Sequence, residues 1–155
     1  MSIKKLVEWS DELSVGLQEI DEQHKILVGL LNRLYEAIIT KRDHEVISNI
    51  LNELVDYTII HFAVEESLMR IFDYPQYDEH KKHHEDLSRQ VIELRCKVRD
   101  GSSMVSMDVL NFLRSWLTNH IMIEDKHYGP FLVRQGLKAS WAKRTFGKIW
   151  EYVHK

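Results

Sequence analysis

A chain of 155 residues with 44% hydrophobic and 29% charged side chains has the make-up of one globular domain with a core of its own. A formal net charge of −3 argues against nucleic acid as the main partner, because such domains carry a basic footprint. Cys96 is the single cysteine, which excludes an intramolecular disulfide; no apolar run reaches the roughly 18 residues a membrane span needs, and the expected location is the cytoplasm.

Residues 1–20 lack a sustained period. Trp9, Val15, Leu17 and Ile20 are scattered anchors around Gly16, the pattern of an ordered arm lying across a larger body. From Asp21, read as an N-cap, His24, Leu27, Leu31, Leu34 and Ile38 recur at alternating three and four, the face of a first helix that ends at Thr40-Lys41-Arg42-Asp43. A second helix carries Ile47, Ile50, Leu54, Tyr57, His61, Glu65, Leu68 and Phe72 in the same rhythm and stops before Pro75. His80, His84, Leu87, Val91, Leu94 and Val98 mark a third helix, closed by the turn Asp100-Gly101-Ser102-Ser103. Leu110, Leu113, Leu117 and His120 mark a fourth, expected to close near Gly129-Pro130. In residues 137–155 Trp141, Thr145, Lys148 and Tyr152 recur at about one turn beside an apolar strip of Phe146, Ile149, Trp150 and Val153, which predicts a short amphipathic helix with a basic excess.

The fold class is therefore all-α: an antiparallel up-and-down four-helix bundle, with an N-terminal arm and a short C-terminal amphipathic helix. The expected division is a domain over 1–136, comprising arm 1–20 and bundle 21–130, and an extension over 137–155. In that topology the early residues of the first and third helices meet the late residues of the second and fourth. His24, His61 with Glu65, His80 with His84, and His120 then converge at one level of the bundle. His61 and Glu65, like His80 and His84, are four apart and face one point on a helix.

Polar groups in an apolar stripe cost about 2–7 kcal/mol each if left without partners. A single tetrahedral zinc would use four ligands at most, whereas two metal ions with bridging carboxylates employ all five imidazoles. Imidazole suits iron, copper, zinc and nickel alike, so donor type alone does not select the metal. With two carboxylates at most, the site is poorer in negative charge than the four-glutamate, two-histidine set of ferritin-like proteins, and should hold a ferrous pair more readily. One feature resists helical spacing: on a regular helix Glu124, four after His120, faces the same way, whereas Asp125 at five lies about 140° away and could join the site only through a local π-type turn or by reaching round from a neighbouring face.

Ile20-Asp21-Glu22-Gln23-His24-Lys25, His61-Phe62 with Glu65, Tyr77-Asp78-Glu79-His80-Lys81-Lys82-His83-His84-Glu85, and Trp116-Leu117-Thr118-Asn119-His120-Ile121 with Asp125 resemble the hemerythrins over roughly residues 7–130. The resemblance implies two iron ions per chain, oxo- or hydroxo-bridged, that bind dioxygen reversibly. It implies His80, His84 and His120 on one iron, His24 and His61 on the other, and Glu65 and Asp125 as bridges. Leu27, Phe62, Trp116 and Leu117 match the family's pocket positions. It chooses Asp125 where spacing would choose Glu124.

Tyr128 is read either as a hydrogen-bond partner near the site or as a simple core residue, and Glu66 as a surface or supporting group. His44, His83, His127 and His154 are expected at the surface, and Cys96 half-buried and inert. The leading function is oxygen storage, transport or buffering rather than catalysis. Alternatives are nitric oxide or peroxide handling at the same irons, or oxygen sensing, which in this family usually goes with a fused signalling domain. Dioxygen is the expected partner, with no nucleic acid. Residues 137–155 either extend the core or dock a client oxygen-using protein or an anionic membrane surface.

Overall fold

In the computed structural model, which describes residues 5–101 and 106–135 but not the side chains of 123–125, four long helical rods form an antiparallel bundle around one apolar core. They are α1 (Gln18–Ile39), α2 (His44–Ile71), α3 (Tyr77–Arg99), and a last rod made of α4 (Met107–Asn119), a π-helical turn (His120–Asp125) and α5 (Lys126–Arg134). The expected amphipathic helix at 137–155 lies outside the described residues. No helix among the described residues is long and apolar enough to cross a membrane.

Each rod buries most of its predicted stripe, with Ile38, Ile47, Phe72 and Leu94 only partly covered. Ile20, His24, Leu27, Leu31 and Leu34 of α1 are all buried, as are Ile50, Leu54, Tyr57, His61, Glu65 and Leu68 of α2. Asp43 caps α2, its carboxylate accepting from Val46 N at 3.0 Å, so a residue read as part of a linker is the start signal of the next helix. Tyr74 N bonds back to Met69 O at 2.9 Å, and Pro75 then separates α2 from α3. Gly101, at φ +75°, turns the chain out of α3.

Two boundaries differ from the sequence reading. Asp21 does not cap α1; the helix begins a turn earlier, and Asp21 holds the arm by accepting from Ser14 Oγ at 2.5 Å and Val15 N at 2.8 Å. The last rod does not stop at Gly129-Pro130 but runs through Pro130 to Arg134. Tyr128 and Leu132, both fully buried, anchor it on either side of the proline. Gly129 has a tertiary task instead. A β-carbon there would stand 2.2 Å from the carbonyl oxygen of Val15, so only glycine lets the arm's backbone cross the last rod.

The described part of the arm, residues 5–17, is ordered as expected. It contains a single 3-10 turn (Asp11–Leu13), buries Val7, Leu13, Val15 and Leu17, and is pinned to α1 by a reciprocal pair in which Val7 N donates to Asn32 Oδ1 at 2.9 Å and Asn32 Nδ2 donates to Val7 O at 2.8 Å.

Candidate metal centre

The bundle brings five imidazoles and one carboxylate to one level of the core. His24, His61 and Glu65 form one group and His80, His84 and His120 another, the donor atoms within each lying no more than 4.8 Å apart; all six residues are buried. Glu65 stands between them. Its Oε1 is 3.1 Å from His61 Nε2, 3.4 Å from His84 Nε2 and 3.6 Å from His120 Nε2, while Oε2 is 3.8 Å from His24 Nε2. Three ring nitrogens from three different helices thus point at one carboxylate oxygen.

The shape of this convergence is a test of whether a metal fits. His84 Nε2 and Glu65 Oε1 are fully buried and close, yet among the described residues neither makes a hydrogen bond. Buried polar atoms are normally satisfied, and an exception needs a cause. Ring nitrogens and a carboxylate converging on one buried space are what a cation would collect. The donor set, imidazole with carboxylate, suits first-row transition metals.

Fields in the metal-free chain agree. Burial alone would raise the Glu65 carboxyl, but the charge of His61 and the close rings of His120, His61 and His84 outweigh it and hold the group well below the ordinary glutamate range. Burial alone would lower His84, but Glu65 and Glu66 outweigh it and raise it. The pocket is built to hold positive charge beside an ionised Glu65.

The atoms on the far side of the rings are tied down. Gln23 Oε1 lies 2.7 Å from His61 Nδ1, and Glu66 Oε2 lies 3.3 Å from His84 Nδ1. The Tyr128 hydroxyl donates to Glu65 Oε2. With Nδ1 donating, each of these two rings can present Nε2 inward as the donor to a bound metal, the usual arrangement of a metal-binding histidine. Gln23 escaped the sequence reading; the available signal was that a buried imidazole on a ligand stripe needs a partner for its second nitrogen, and Gln23 sits on the same turn as His24.

The apolar positions named from the sequence are all buried: Leu27, Phe62, Trp116 and Leu117. Phe62 lies flat on His84, ring centroids 3.9 Å apart and planes 2° from parallel, and its ring centroid is 5.0 Å from that of His120 and 6.2 Å from that of Trp116. His83 is not simply solvated as expected. It is half-buried, its ring roughly parallel to that of His120 at 5.8 Å. His44 and His127 are exposed, and His154 lies outside the described residues. Cys96, expected half-buried, is exposed: it lies beside the buried stripe of α3 and not on it.

The π-helical turn His120–Asp125 falls where the fourth stripe departs from α-helical spacing. Widening to i→i+5 hydrogen bonding brings the backbone of Asp125 one turn beyond His120, the register that an α-helix would give to Glu124.

Residues 15–132 match the hemerythrin HHE cation binding domain. The chain belongs to the hemerythrin family. It is 36% identical over 148 residues to a bacteriohemerythrin of Pseudomonas aeruginosa, covering 91% of this chain and 95% of that one, and 34% identical over 128 residues to the bacteriohemerythrin of Methylococcus capsulatus, covering 82% and 97%. A crystal structure of wild-type hemerythrin superposes with a TM-score of 0.78 at 34% identity, covering 82% of this chain and 98% of that one. Hemerythrin domains hold a di-iron centre that binds dioxygen, and the two buried clusters of this chain could hold such ions.

Proposed function

We propose that this hemerythrin is a dioxygen carrier or buffer rather than an enzyme or a sensor, with His80, His84 and His120 on one iron, His24 and His61 on the other, and Glu65 and Asp125 bridging. The observation that carries the reading is Glu65: fully buried, its two oxygens lie within 3.8 Å of ring nitrogens from both histidine clusters. When bound, the iron pair supplies reversible binding of dioxygen.

The chain's own residues supply the rest. Five imidazoles, two bridging carboxylates and one bridging hydroxide would fill about 11 of the 12 positions of two six-coordinate ions, and the position left open would fall to the ion held by only two histidines, His24 and His61. Phe62, Trp116, Leu27 and Leu117 wall the site with carbon, excluding the water and protons that favour irreversible oxidation. Tyr128 holds Glu65 in place through its hydroxyl.

The visible spectrum of anaerobically iron-loaded protein, recorded before air, after air and after re-evacuation, tests this. An oxygenated band that appears and disappears reversibly is expected. Rapid one-way conversion to the ferric form would overturn the carrier reading in favour of peroxide or nitric oxide chemistry.

A further inference from the structure

One ring in each histidine cluster, His61 in the first and His84 in the second, has an outer partner of a different charge. Behind His61 the acceptor is the neutral amide of Gln23, at 2.7 Å and buried. Behind His84 it is the carboxylate of Glu66, at 3.3 Å and 20% exposed. Glu66 lies in an open, mainly apolar groove of about 480 Å³ between α2 and α3, with Ile59, Phe62, Ala63 and Ile92 along it. The cations near that groove are engaged elsewhere: Arg89 pairs with Asp86 at 3.2 Å and Arg95 with Asp56 at 2.7 Å. Neither neutralises Glu66 in these contacts.

We propose that Glu66 is a charge-tuning positioning residue for the His80/His84/His120 metal position, and that the pairing of an anionic partner there with a neutral one at His61 makes the two iron positions electronically unequal. The proposal rests on the ligand assignment above. A carboxylate accepting the Nδ1 proton draws that proton partly away, gives the ring more imidazolate character and makes Nε2 a stronger donor, whereas an amide does this weakly. A stronger donor favours the more highly charged ion. The three-histidine position is therefore the better holder of Fe(III), and the Gln23-supported position the better holder of Fe(II). Partial exposure of Glu66 weakens its field but leaves the hydrogen bond intact.

Glu66→Gln separates charge from geometry, because its amide oxygen still accepts from Nδ1. The midpoint potential of the iron pair, measured by mediated titration, should rise in Glu66→Gln, by about 59 mV for each tenfold loss of preference for Fe(III) over Fe(II) in a one-electron step. Glu66→Asp should restore much of the shift, and Gln23→Glu, which adds an anion at the other position, should move the potential down. Should a variant lose iron, the zinc-loaded protein gives a second reading: the Nδ1 proton resonance of His84 should move upfield and exchange faster in Glu66→Gln while that of His61 stays in place. A potential in Glu66→Gln equal to wild type, or a His84 resonance that does not move, would overturn the proposal with the ligand assignment still standing. A wild-type chain that takes up fewer than two ions would overturn both.

Discussion

The two ends of the bundle solve the same packing problem with opposite materials. Away from the metal centre the core is aliphatic: Leu31 and Leu34 of α1, Leu51 and Leu54 of α2, Val91 and Val98 of α3, and Leu110 and Leu113 of α4 bury against one another and need nothing from outside the chain. At the metal end the same four rods bury His24, His61, Glu65, His80, His84 and His120 in an equally dry interior. One end gains free energy by burial, and the other loses it until something satisfies its donors. The apolar half therefore carries the fold, and the polar half is held in place by it, ready for a cation.

The comparison can be broken by truncating each end in turn. Leu51→Ala, ten residues and about 15 Å of helix before His61, should cost about 2–5 kcal/mol, and the same amount with or without metal. Equal unfolding shifts in chelated and iron-loaded protein are the expected result of paired denaturant titrations. His84→Ala should behave oppositely: metal and stability are lost together, with about 1–3 kcal/mol for each buried group left without its partner, and little further change when a chelator is added. Two irons retained with an unchanged melting curve would refute the site.

Much of this division was legible in the sequence. The stripes of α1, α2 and α3 appear in the three-and-four spacing of Leu27, Leu31 and Leu34 or of Leu87 and Val91, and the level of the site follows from His24 and His80 lying early in their helices and His61 and His120 late. Spacing alone chooses Glu124; only the family resemblance points to Asp125 and so makes a π turn one of two ways to reconcile them, and a π turn is what the backbone has. What escaped was tertiary. Asp21 looks like a cap because caps are local, but its carboxylate is taken by Ser14 and Val15 of the arm. Gly129-Pro130 looks like a stop because those residues usually are one, but the glycine is there for the crossing of Val15. His83 looks solvated on its own helix and is half-covered only because the last rod brings His120 beside it. Residues 137–155 lie outside the described residues, so their docking role stays a proposal: a chain ending at Leu137 that keeps its oxygen binding and melting temperature but no longer binds anionic vesicles would support it.

The π turn gives a sharper version of the comparison. If Asp125 is the second bridge, Asp125→Ala should abolish the bridged di-iron spectrum while Glu124→Ala leaves it intact, and the reverse outcome would return the position to ordinary helical spacing. A smaller effect is expected at Tyr128, whose hydroxyl donates to ionised Glu65. Tyr128→Phe should cost about 1.5–3 kcal/mol in the metal-free chain and less in the loaded one, where Glu65 has other partners.

Acid and base distinguish the ends as well. Glu65 is held below its ordinary value of 4.5, so its contribution to stability is present above that pH and lost as pH falls through the folded value. His84 is raised above 6.5, so its contribution is present below that pH and lost as pH rises through the folded value. The metal-free protein should melt highest between about pH 4.5 and 6.5, whereas the loaded protein, whose ligands must be deprotonated, should melt highest above that window. The mildest change is Leu117→Ala at the wall of the site. It should keep two irons per chain while oxygenated protein converts to the ferric form faster, and an unaltered half-life would remove Leu117 from the pocket.

The most direct test of the account is an anaerobic titration of metal-free protein with Fe(II), with bound iron counted per chain and the melting temperature followed at each addition. The two buried clusters joined by Glu65 predict saturation at two ions, with the melting temperature rising until the second is bound. Saturation at one ion, or uptake of iron with no gain in stability, would contradict it.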